Sequence, residues 1–143
     1  MANQYDALKL ENQLCFPLYA CAKGIVQKYK EFLDPLDLTY TQYITMLVLW
    51  EKGRQSVKEL GDLLYLDSGT LTPVLKKLEG KGYVKRERNP QDERILYVSL
   101  TRQGEMLRNR AVNVPDSIGK CVNLSPEEAQ TLYRLLYKIL ENA

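Results

Sequence analysis

Residues 56–100 read SVKELGDLLYLDSGTLTPVLKKLEGKGYVKRERNPQDERILYVSL, and this stretch decides the fold. Ser56 is followed three residues later by Glu59, which is the spacing of a capping box that satisfies unpaired amides at a helix start. Leucines then recur at helical spacing on both sides of the segment LDSG at 66–69. The stretch therefore predicts a helix, a tight break and a second helix.

Two strand-like runs, residues 83–88 and 95–100, follow this pair of helices and are joined by NPQDER. Two helices and a hairpin in this order predict a winged helix-turn-helix, whose second helix is placed in the major groove of DNA. Hydroxyls and cations on the predicted second helix and hairpin suit phosphate oxygens and base edges. These side chains belong to Ser68, Thr70, Thr72, Lys76, Lys77, Lys85, Arg86, Arg88 and Arg94.

The segments before this stretch predict two more helices. Apolar residues at spacings of three and four over residues 5–33 predict a long amphipathic helix. Pro17 interrupts it, so we expect either a kink beside Cys15 or a new helix that begins near Phe16. Residues 39–50 start with a capping box and are apolar nearly all round, which predicts a buried base for the DNA-binding half.

Two helices are also predicted after the hairpin. Thr101 opens the first, which we expect Pro115 and Gly119 to terminate. The second starts at Ser125 and carries a leucine stripe. We expect one domain of mainly α structure with a small β-hairpin wing, in which residues 37–101 form a DNA-binding lobe. Residues 1–36 and 102–143 would supply dimerisation helices, since two recognition helices about 34 Å apart read successive major grooves. Completion of a monomeric core is the other explanation of the leucine stripe.

Composition excludes several classes of function. The chain has no histidine, so Ser-His-Asp and Cys-His catalysis and histidine metal sites are excluded. Its 20 lysines and arginines face 18 aspartates and glutamates, so it is no polycation that coats nucleic acid indiscriminately. The three cysteines form no CxxC pair, and the residue pattern leads us to expect neither secretion nor a membrane span. We expect a cytoplasmic protein with reduced thiols, no membrane contact, no cofactor and no metal.

Four motifs carry a resemblance to a known family: LENQLCFPLYA at 10–20, DSGTLTPVLKKLE at 67–79, DER at 92–94 and SLTRQG at 99–104. They resemble MarR-family transcription regulators, and most closely the organic-hydroperoxide-sensing OhrR branch. The resemblance implies a homodimeric repressor that holds a palindromic double-stranded operator when reduced and releases it when oxidised. It also implies DNA contacts from the recognition helix at Ser68, Thr70, Thr72, Pro73, Lys76 and Lys77, and from the wing at Arg86, Arg88 and Arg94, with Asp92 orienting the wing loop.

The resemblance implies that Cys15 is the sensing thiol. It also implies that tyrosines surround this thiol: Tyr19, Tyr29 and, from the partner subunit, Tyr29 or Tyr40. On a helical wheel, positions 19 and 29 each fall about 40° from position 15, on either side of it, so the three share one stripe. Phenol hydroxyls that donate to a thiolate favour its charged form and lower the thiol pKa. Attack of the thiolate on a hydroperoxide gives a sulfenic acid. An ordinary buried cysteine on an apolar helix face is the competing interpretation.

The resemblance further implies a resolving role for Cys121, because two-cysteine members of the branch carry such a thiol near the start of the last helix. We hypothesise that oxidised Cys15 is captured by Cys121 of the partner subunit and that the bridge rotates the two DNA-binding lobes apart. The Cα atoms must then come within about 7 Å. A mixed disulfide of Cys15 with a small thiol is the other possible product. Cys21 lies about 240° round the helix from Cys15 and is expected to pack.

Three other functions fit parts of the sequence. A MarR-type regulator could release DNA on binding a small phenolic ligand in the cleft between its two halves, with no redox role for Cys15. A thiol peroxidase would use the same cysteine in turnover, although no cation lies beside it in the sequence. A winged-helix module could serve protein contacts and never touch DNA. The sequence also leaves open whether oxidation releases the operator or strengthens its binding.

Overall fold

The computed structural model describes residues 3–142, which form a helical protein with one small sheet. The outermost residues of the predicted dimerisation segments, 1–2 and 143, lie outside this range. The described helices are α1 (Cys15–Leu33), α2 (Tyr40–Lys52), α3 (Val57–Leu64), α4 (Ser68–Gly80), α5 (Arg102–Ala111), α6 (Val114–Gly119) and α7 (Pro126–Glu141). The strands are β1 (Gln55–Ser56), β2 (Val84–Arg88) and β3 (Leu96–Leu100). The predicted class, mainly α with a β-hairpin wing, is confirmed.

The sheet is antiparallel and has the strand order β1-β3-β2. In the β2–β3 hairpin, Val84 lies opposite Leu100 and Arg88 lies opposite Leu96, and both strands match the predicted runs to within one residue. The third strand, β1, was not predicted from the sequence. It has only two residues, and it is a strand because Gln55 pairs with Val98, which is distant in sequence.

The prediction of one helix from residue 5 to residue 33 is wrong, and the alternative start near Phe16 is confirmed to within one residue. Two 3₁₀ turns precede α1, at Asp6–Leu8 and Leu10–Asn12. Side-chain amides hold them, since Gln13 Nε2 donates to the Ala7 carbonyl at 2.7 Å and Asn12 Nδ2 donates to the Asp6 carbonyl at 2.7 Å. Pro17 is the third residue of α1, where a backbone N–H has no acceptor within the helix. The proline therefore removes no helical hydrogen bond.

The prediction that Pro115 terminates a helix is also wrong. The helix that follows Thr101 has already ended at Ala111, and Pro115 is the second residue of the separate helix α6. Proline is favoured in the first turn of a helix, because its missing N–H would be unpaired there. Gly119 ends α6, as expected.

Helix α2 forms the base on which the helix-turn-helix packs. Thr39 and Gln42 make both hydrogen bonds of the predicted capping box. Tyr43, Met46 and Leu49 are buried on its inner face. The core that packs around them also contains Leu33, Leu60, Leu71, Leu75, Leu78, Val84, Val98 and Leu107. The helix-turn-helix and the hairpin are thus packed on one helix through a shared core.

The two ends of the chain carry apolar side chains that the rest of the chain does not cover. Helix α7 has no buried residue, and along its stripe Leu132 is 44% exposed and Ile139 is 53% exposed. Before α1, Leu8 is 77% exposed and Leu14 is 82% exposed. We call this set, with Leu135 and Leu140, the terminal apolar surface. Within residues 3–142, no helix is both long and apolar enough to cross a membrane.

The start of α5 lies against the backbone that leads into β2. Thr101 N donates to the Tyr83 carbonyl at 3.1 Å, and Trp50 Nε1 donates to the Gly104 carbonyl at 2.9 Å. A Cβ atom at Gly104 would lie 2.1 Å from the Tyr83 carbonyl oxygen. This close approach explains the glycine of the SLTRQG motif, because any side chain would push α5 away from the wing.

We predict that Gly104→Ala lowers the free energy of unfolding by about 2–3 kcal/mol, because the added methyl group overlaps backbone that cannot move without disturbing β2. Urea unfolding monitored by circular dichroism measures the change. Gly80→Ala is the matched control, since a Cβ there would have no heavy atom within 4 Å. Equal stability of the two variants would contradict this account of Gly104.

Candidate DNA interface and thiol sites

Helix α4 presents the polar face that a recognition helix needs. Asp67 caps its N-terminus, where Oδ1 accepts from Thr70 N at 2.7 Å, and this hydrogen bond lowers the pKa of the Asp67 carboxyl. Leu71, Leu75 and Leu78 point into the core and fix the rotation of the helix. The DNA-contact residues expected on this helix therefore face outward: Ser68, Thr70, Pro73, Lys76 and Lys77 are exposed, and Thr72 is half-buried.

The turn between α3 and α4 is tight. Tyr65 ends α3 with φ 57°, a left-handed conformation that is uncommon for a bulky residue. Leu66 N donates back to the Gly61 carbonyl at 3.0 Å, and a Cβ on Gly61 would lie 2.7 Å from the Leu66 carbonyl oxygen. Gly61 therefore allows α4 to start directly beside the end of α3.

An ion pair holds the arginine at the tip of the wing. Arg94 Nε donates to Asp92 Oδ1 at 3.0 Å, and Arg94 Nη2 donates to Asp92 Oδ2 at 3.1 Å. The pairing lowers the pKa of Asp92 and raises the pKa of Arg94. The Arg94 side chain is 90% exposed, so its guanidinium is presented to solvent in a fixed direction. Arg88 braces the same loop, since its Nη1 donates to the Glu93 carbonyl at 2.8 Å.

A cleft of about 600 Å³ separates the wing from α3 and α4, and Lys58, Thr72, Arg86 and Arg94 are among its lining residues. The Arg86 guanidinium does not extend from this cleft into solvent as a phosphate contact would. It pairs with Glu79 of α4, with Nη2 at 3.0 Å from Oε1, and the Arg86 side chain is 21% exposed. The sequence did not predict this contact, because the two residues belong to different elements.

Cys15 is the first residue of α1 and is exposed. Tyr19 lies one turn further on and is 62% exposed. Tyr29 lies fourteen residues after Cys15, which is about 21 Å along the helix axis. Although the three residues share a stripe, one protomer does not bring Tyr29 to Cys15. A contact between these two side chains therefore needs a second copy of the chain.

Three tyrosines cluster at the far end of α1. The ring of Tyr29 lies 4.8 Å from that of Tyr40 and 5.7 Å from that of Tyr43, centroid to centroid. Burial raises the pKa of Tyr29 to about 12, with a further contribution from the neighbouring phenols, and burial also raises the pKa of Tyr40 and of Tyr43. Sequence reasoning missed Tyr43, although its spacing of three from Tyr40 is a helical one. A cavity of about 270 Å³ opens beside the cluster. Its lining includes Val26, Lys30 and Tyr40.

Cys121 is half-buried in the turn after α6. Its thiol lies 3.6 Å from the Ser117 carbonyl oxygen, and its own carbonyl accepts from Lys28 Nζ at 3.2 Å. Lys28 lies thirteen residues after Cys15, which is about 20 Å along α1. Cys121 is thus held beside the distal half of α1, whereas Cys15 opens this helix. Cys21, on α1, is exposed and so does not pack within the chain as expected.

We predict that Tyr29 stays protonated when ordinary phenols ionise. An alkaline titration followed by the ultraviolet absorbance of phenolate shows one step for each ionising tyrosine. The step at the highest pH should be missing from the titration of Tyr29→Phe, because the pKa of Tyr29 is about 12. The unfolded chain loses this proton near pH 10 and the folded chain keeps it, so the stability that the neutral phenol contributes is lost as pH rises from 10 to 12. Loss of a component near pH 10 instead would contradict the burial of this hydroxyl.

The buried base, the outward polar face of α4 and the braced wing together define a winged-helix DNA-binding protein. A family model described as "Transcriptional regulator SarA/Rot" matches residues 27–110. The chain belongs to this family of MarR-like winged-helix regulators. It is also 46% identical over 141 residues to the organic hydroperoxide resistance transcriptional regulator of Bacillus subtilis. The aligned residues cover 99% of this chain and 96% of that relative.

Two solved structures of AbfR, a protein of Staphylococcus epidermidis, are similar to this chain. The reduced protein bound to DNA has a TM-score of 0.80 and 34% identity, over 97% of this chain and 96% of that one. The disulfide form has a TM-score of 0.66 and 36% identity, over 96% of each chain. The fold of this chain therefore matches the reduced, DNA-bound form better than the disulfide form.

Proposed function

We propose that this chain is a homodimeric, DNA-binding transcriptional repressor that senses organic hydroperoxides or similar oxidants through Cys15 and releases its operator on oxidation. The observation that carries the proposal is the likeness, over nearly the whole chain, to a regulator named for organic hydroperoxide resistance. The exposed thiol at the start of α1 gives this likeness a chemical basis, because an oxidant reaches an exposed thiol.

The terminal apolar surface supports the dimer. An exposed apolar stripe along a whole helix is unfavourable in water, and a second copy of the chain covers it with a matching stripe. In this proposal, residues 1–36 and 102–143 form the dimer interface and residues 37–101 bind DNA. The symmetry of the dimer then requires a palindromic operator with half-sites about one helical turn apart.

We predict that Leu135→Glu prevents dimer formation, because the apolar interface cannot accommodate an unpaired carboxylate. Sedimentation equilibrium measures the change in mass. Arg134→Glu is the control, since the charge it introduces lies on the opposite, polar face of α7. A Leu135→Glu chain that keeps the dimer mass would contradict the proposed interface.

DNA binding is assigned to the outward face of α4 and to the wing. The α4 side chains read base edges and phosphates in the major groove, and the wing tip enters the adjacent minor groove. Asp92 keeps Arg94 extended for this purpose. The proposed contacts are Ser68, Thr70, Thr72, Pro73, Lys76, Lys77, Arg88 and Arg94, and Arg86 is treated separately below.

The proposed switch is a two-step oxidation. The Cys15 thiolate attacks the hydroperoxide ROOH, takes up its terminal oxygen as Cys–SOH and, with one proton, releases ROH. The thiol of Cys121 from the partner subunit then displaces water, and a disulfide joins the two subunits. Tyr19, with Tyr29 or Tyr40 of the partner subunit, donates hydrogen bonds to the thiolate beforehand. The different levels of Cys15 and Cys121 along α1 favour a bridge between subunits.

The chain would act by binding and not by turnover. Each oxidation consumes one hydroperoxide and leaves the protein in its released state until a thiol reduces it, so we assign no catalytic residue. Neither a cofactor nor a metal has a part in this cycle. The cytoplasm supplies both the operator DNA and the reducing thiols that the cycle needs.

We predict that a stoichiometric amount of an organic hydroperoxide weakens operator binding by the wild-type protein about a hundredfold, which requires about 2.7 kcal/mol of difference between the two states. Fluorescence anisotropy with a labelled palindromic promoter fragment measures the affinity, and non-reducing gels of the same samples report covalent dimers. Cys15→Ser should keep its affinity after oxidation, and neither Cys15→Ser nor Cys121→Ser should crosslink.

Three results would count against the proposal. Retention of DNA by oxidised wild-type protein would exclude release by oxidation. Release of DNA by a phenolic ligand, unchanged in Cys15→Ser, would identify the cavity beside Tyr40 as the sensing site instead. Consumption of many equivalents of hydroperoxide per chain would indicate a thiol peroxidase.

A further inference from the structure

Glu79 and Arg86 connect the recognition helix to the wing through three hydrogen bonds. Glu79 lies in the last turn of α4, and Arg86 is the central residue of β2. Arg86 N donates to Glu79 Oε2 at 3.1 Å, while its Nε and Nη2 donate to Glu79 Oε1 at 3.3 and 3.0 Å. The carboxylate thus holds both the backbone and the side chain of one wing residue.

The strand register directs Arg86 toward the protein. Side chains alternate between the two faces of a strand, so Arg86 shares a face with Val84, which is buried. Lys85 and Glu87 occupy the other face, where they are exposed and pair with each other at 3.2 Å. The guanidinium of Arg86 therefore lies between β2 and α4, and the sequence pattern of basic residues along the wing does not reveal this.

This geometry affects both parts of the DNA interface at once. A winged helix binds tightly only when α4 and the wing tip reach their grooves together. In the strand order β1-β3-β2, β2 is an edge strand, so strand pairing holds it from one side. A bidentate arginine–carboxylate contact fixes direction as well as distance. The pair lies beside the cleft that separates the wing from α3 and α4, and Arg86 lines this cleft.

We propose that Glu79 and Arg86 are wing-positioning residues, which hold the wing at a fixed angle to the recognition helix, and that Arg86 acts through Glu79 and not as a phosphate contact. The proposal rests on the proposed DNA binding. In this proposal the Glu79 carboxylate strengthens DNA binding by holding the wing. Its negative charge alone would weaken binding, because it repels the phosphates.

The sign of the effect of Glu79→Ala separates the two roles of Arg86. If Arg86 contacts phosphate, removal of the carboxylate frees the guanidinium and lowers the local negative charge, so binding should tighten. If the pair positions the wing, Glu79→Ala should weaken binding about fivefold to tenfold, and the Glu79→Ala/Arg86→Ala double variant should be no weaker than the weaker single variant. Glu87→Ala is the matched control, because it removes the same charge from the opposite face of β2.

Anisotropy titrations with the reduced protein between about 50 and 200 mM salt supply the second readout. Loss of a phosphate contact reduces the slope of log affinity against log salt by about one. If the pair positions the wing, Glu79→Ala and Arg86→Ala should change the slope by the same amount, because each variant releases the wing together with Arg88 and Arg94. A slope that falls by about one in Arg86→Ala but keeps its wild-type value in Glu79→Ala would overturn the proposal, and so would tighter binding by Glu79→Ala.

Hydrogen exchange provides a test that does not depend on DNA. Amides of β2 and β3 should lose protection in Glu79→Ala while amides of α2 keep theirs, because the wing is released and the core is not. Unchanged wing protection would overturn the proposal, and a uniform loss would show that the pair only stabilises the fold. If wild-type protein bound no operator, the proposed function would fail, and this measurement would still decide the role of the pair.

Discussion

The apolar face of α7 has no core to enter within one protomer, and the proposed function depends on this constraint. All residues of α7 except Leu136 are exposed, and before α1 the side chains of Leu8, Leu10 and Leu14 are exposed as well. In the proposed dimer, association of two copies buries both surfaces. The same association would set the distance between the two recognition helices and would bring the start of one α1 close to residues of the other subunit. Under this proposal, burial of apolar area determines both the operator spacing and the thiol chemistry.

Transmission from the thiol to the DNA requires rigid elements between them. Cys15 opens α1, whose last residue, Leu33, is part of the core that carries α2 and α4. Cys121 lies beside the same helix through Lys28. A covalent bond between α1 of one subunit and this turn of the other would displace packed helices, and packed helices move as bodies. The fixed wing then makes affinity sensitive to small rotations, because four groove contacts in the dimer must form at once.

The parts of the fold that could be predicted from the sequence are those set by local physics. Caps at Thr39, Thr101 and Ser125 and the leucine spacing of α3 and α4 placed most helices, because each signal acts within one turn. Strand β1 was missed because its only evidence is pairing with β3. The segment before α1 was predicted as helix because its periodicity is helical, whereas side-chain amides such as Gln13 bind its backbone in 3₁₀ turns.

The site followed the same rule. The outward residues of α4 followed from periodicity, but the Glu79–Arg86 pair and the distance of Tyr29 from Cys15 depend on tertiary structure.

The central claim is that oxidation joins Cys15 of one subunit to Cys121 of the other, and mixed dimers test it most directly. Cys15→Ser and Cys121→Ser chains, one carrying a size tag, are exchanged into heterodimers and treated with hydroperoxide. Each heterodimer holds one intact Cys15 and one intact Cys121, on different subunits. We predict a covalent heterodimer on non-reducing gels, with a Cys15–Cys121 peptide in its mass spectrum, and no covalent homodimer of either variant. A heterodimer that stays uncrosslinked, or a Cys121→Ser homodimer that crosslinks, would contradict the account.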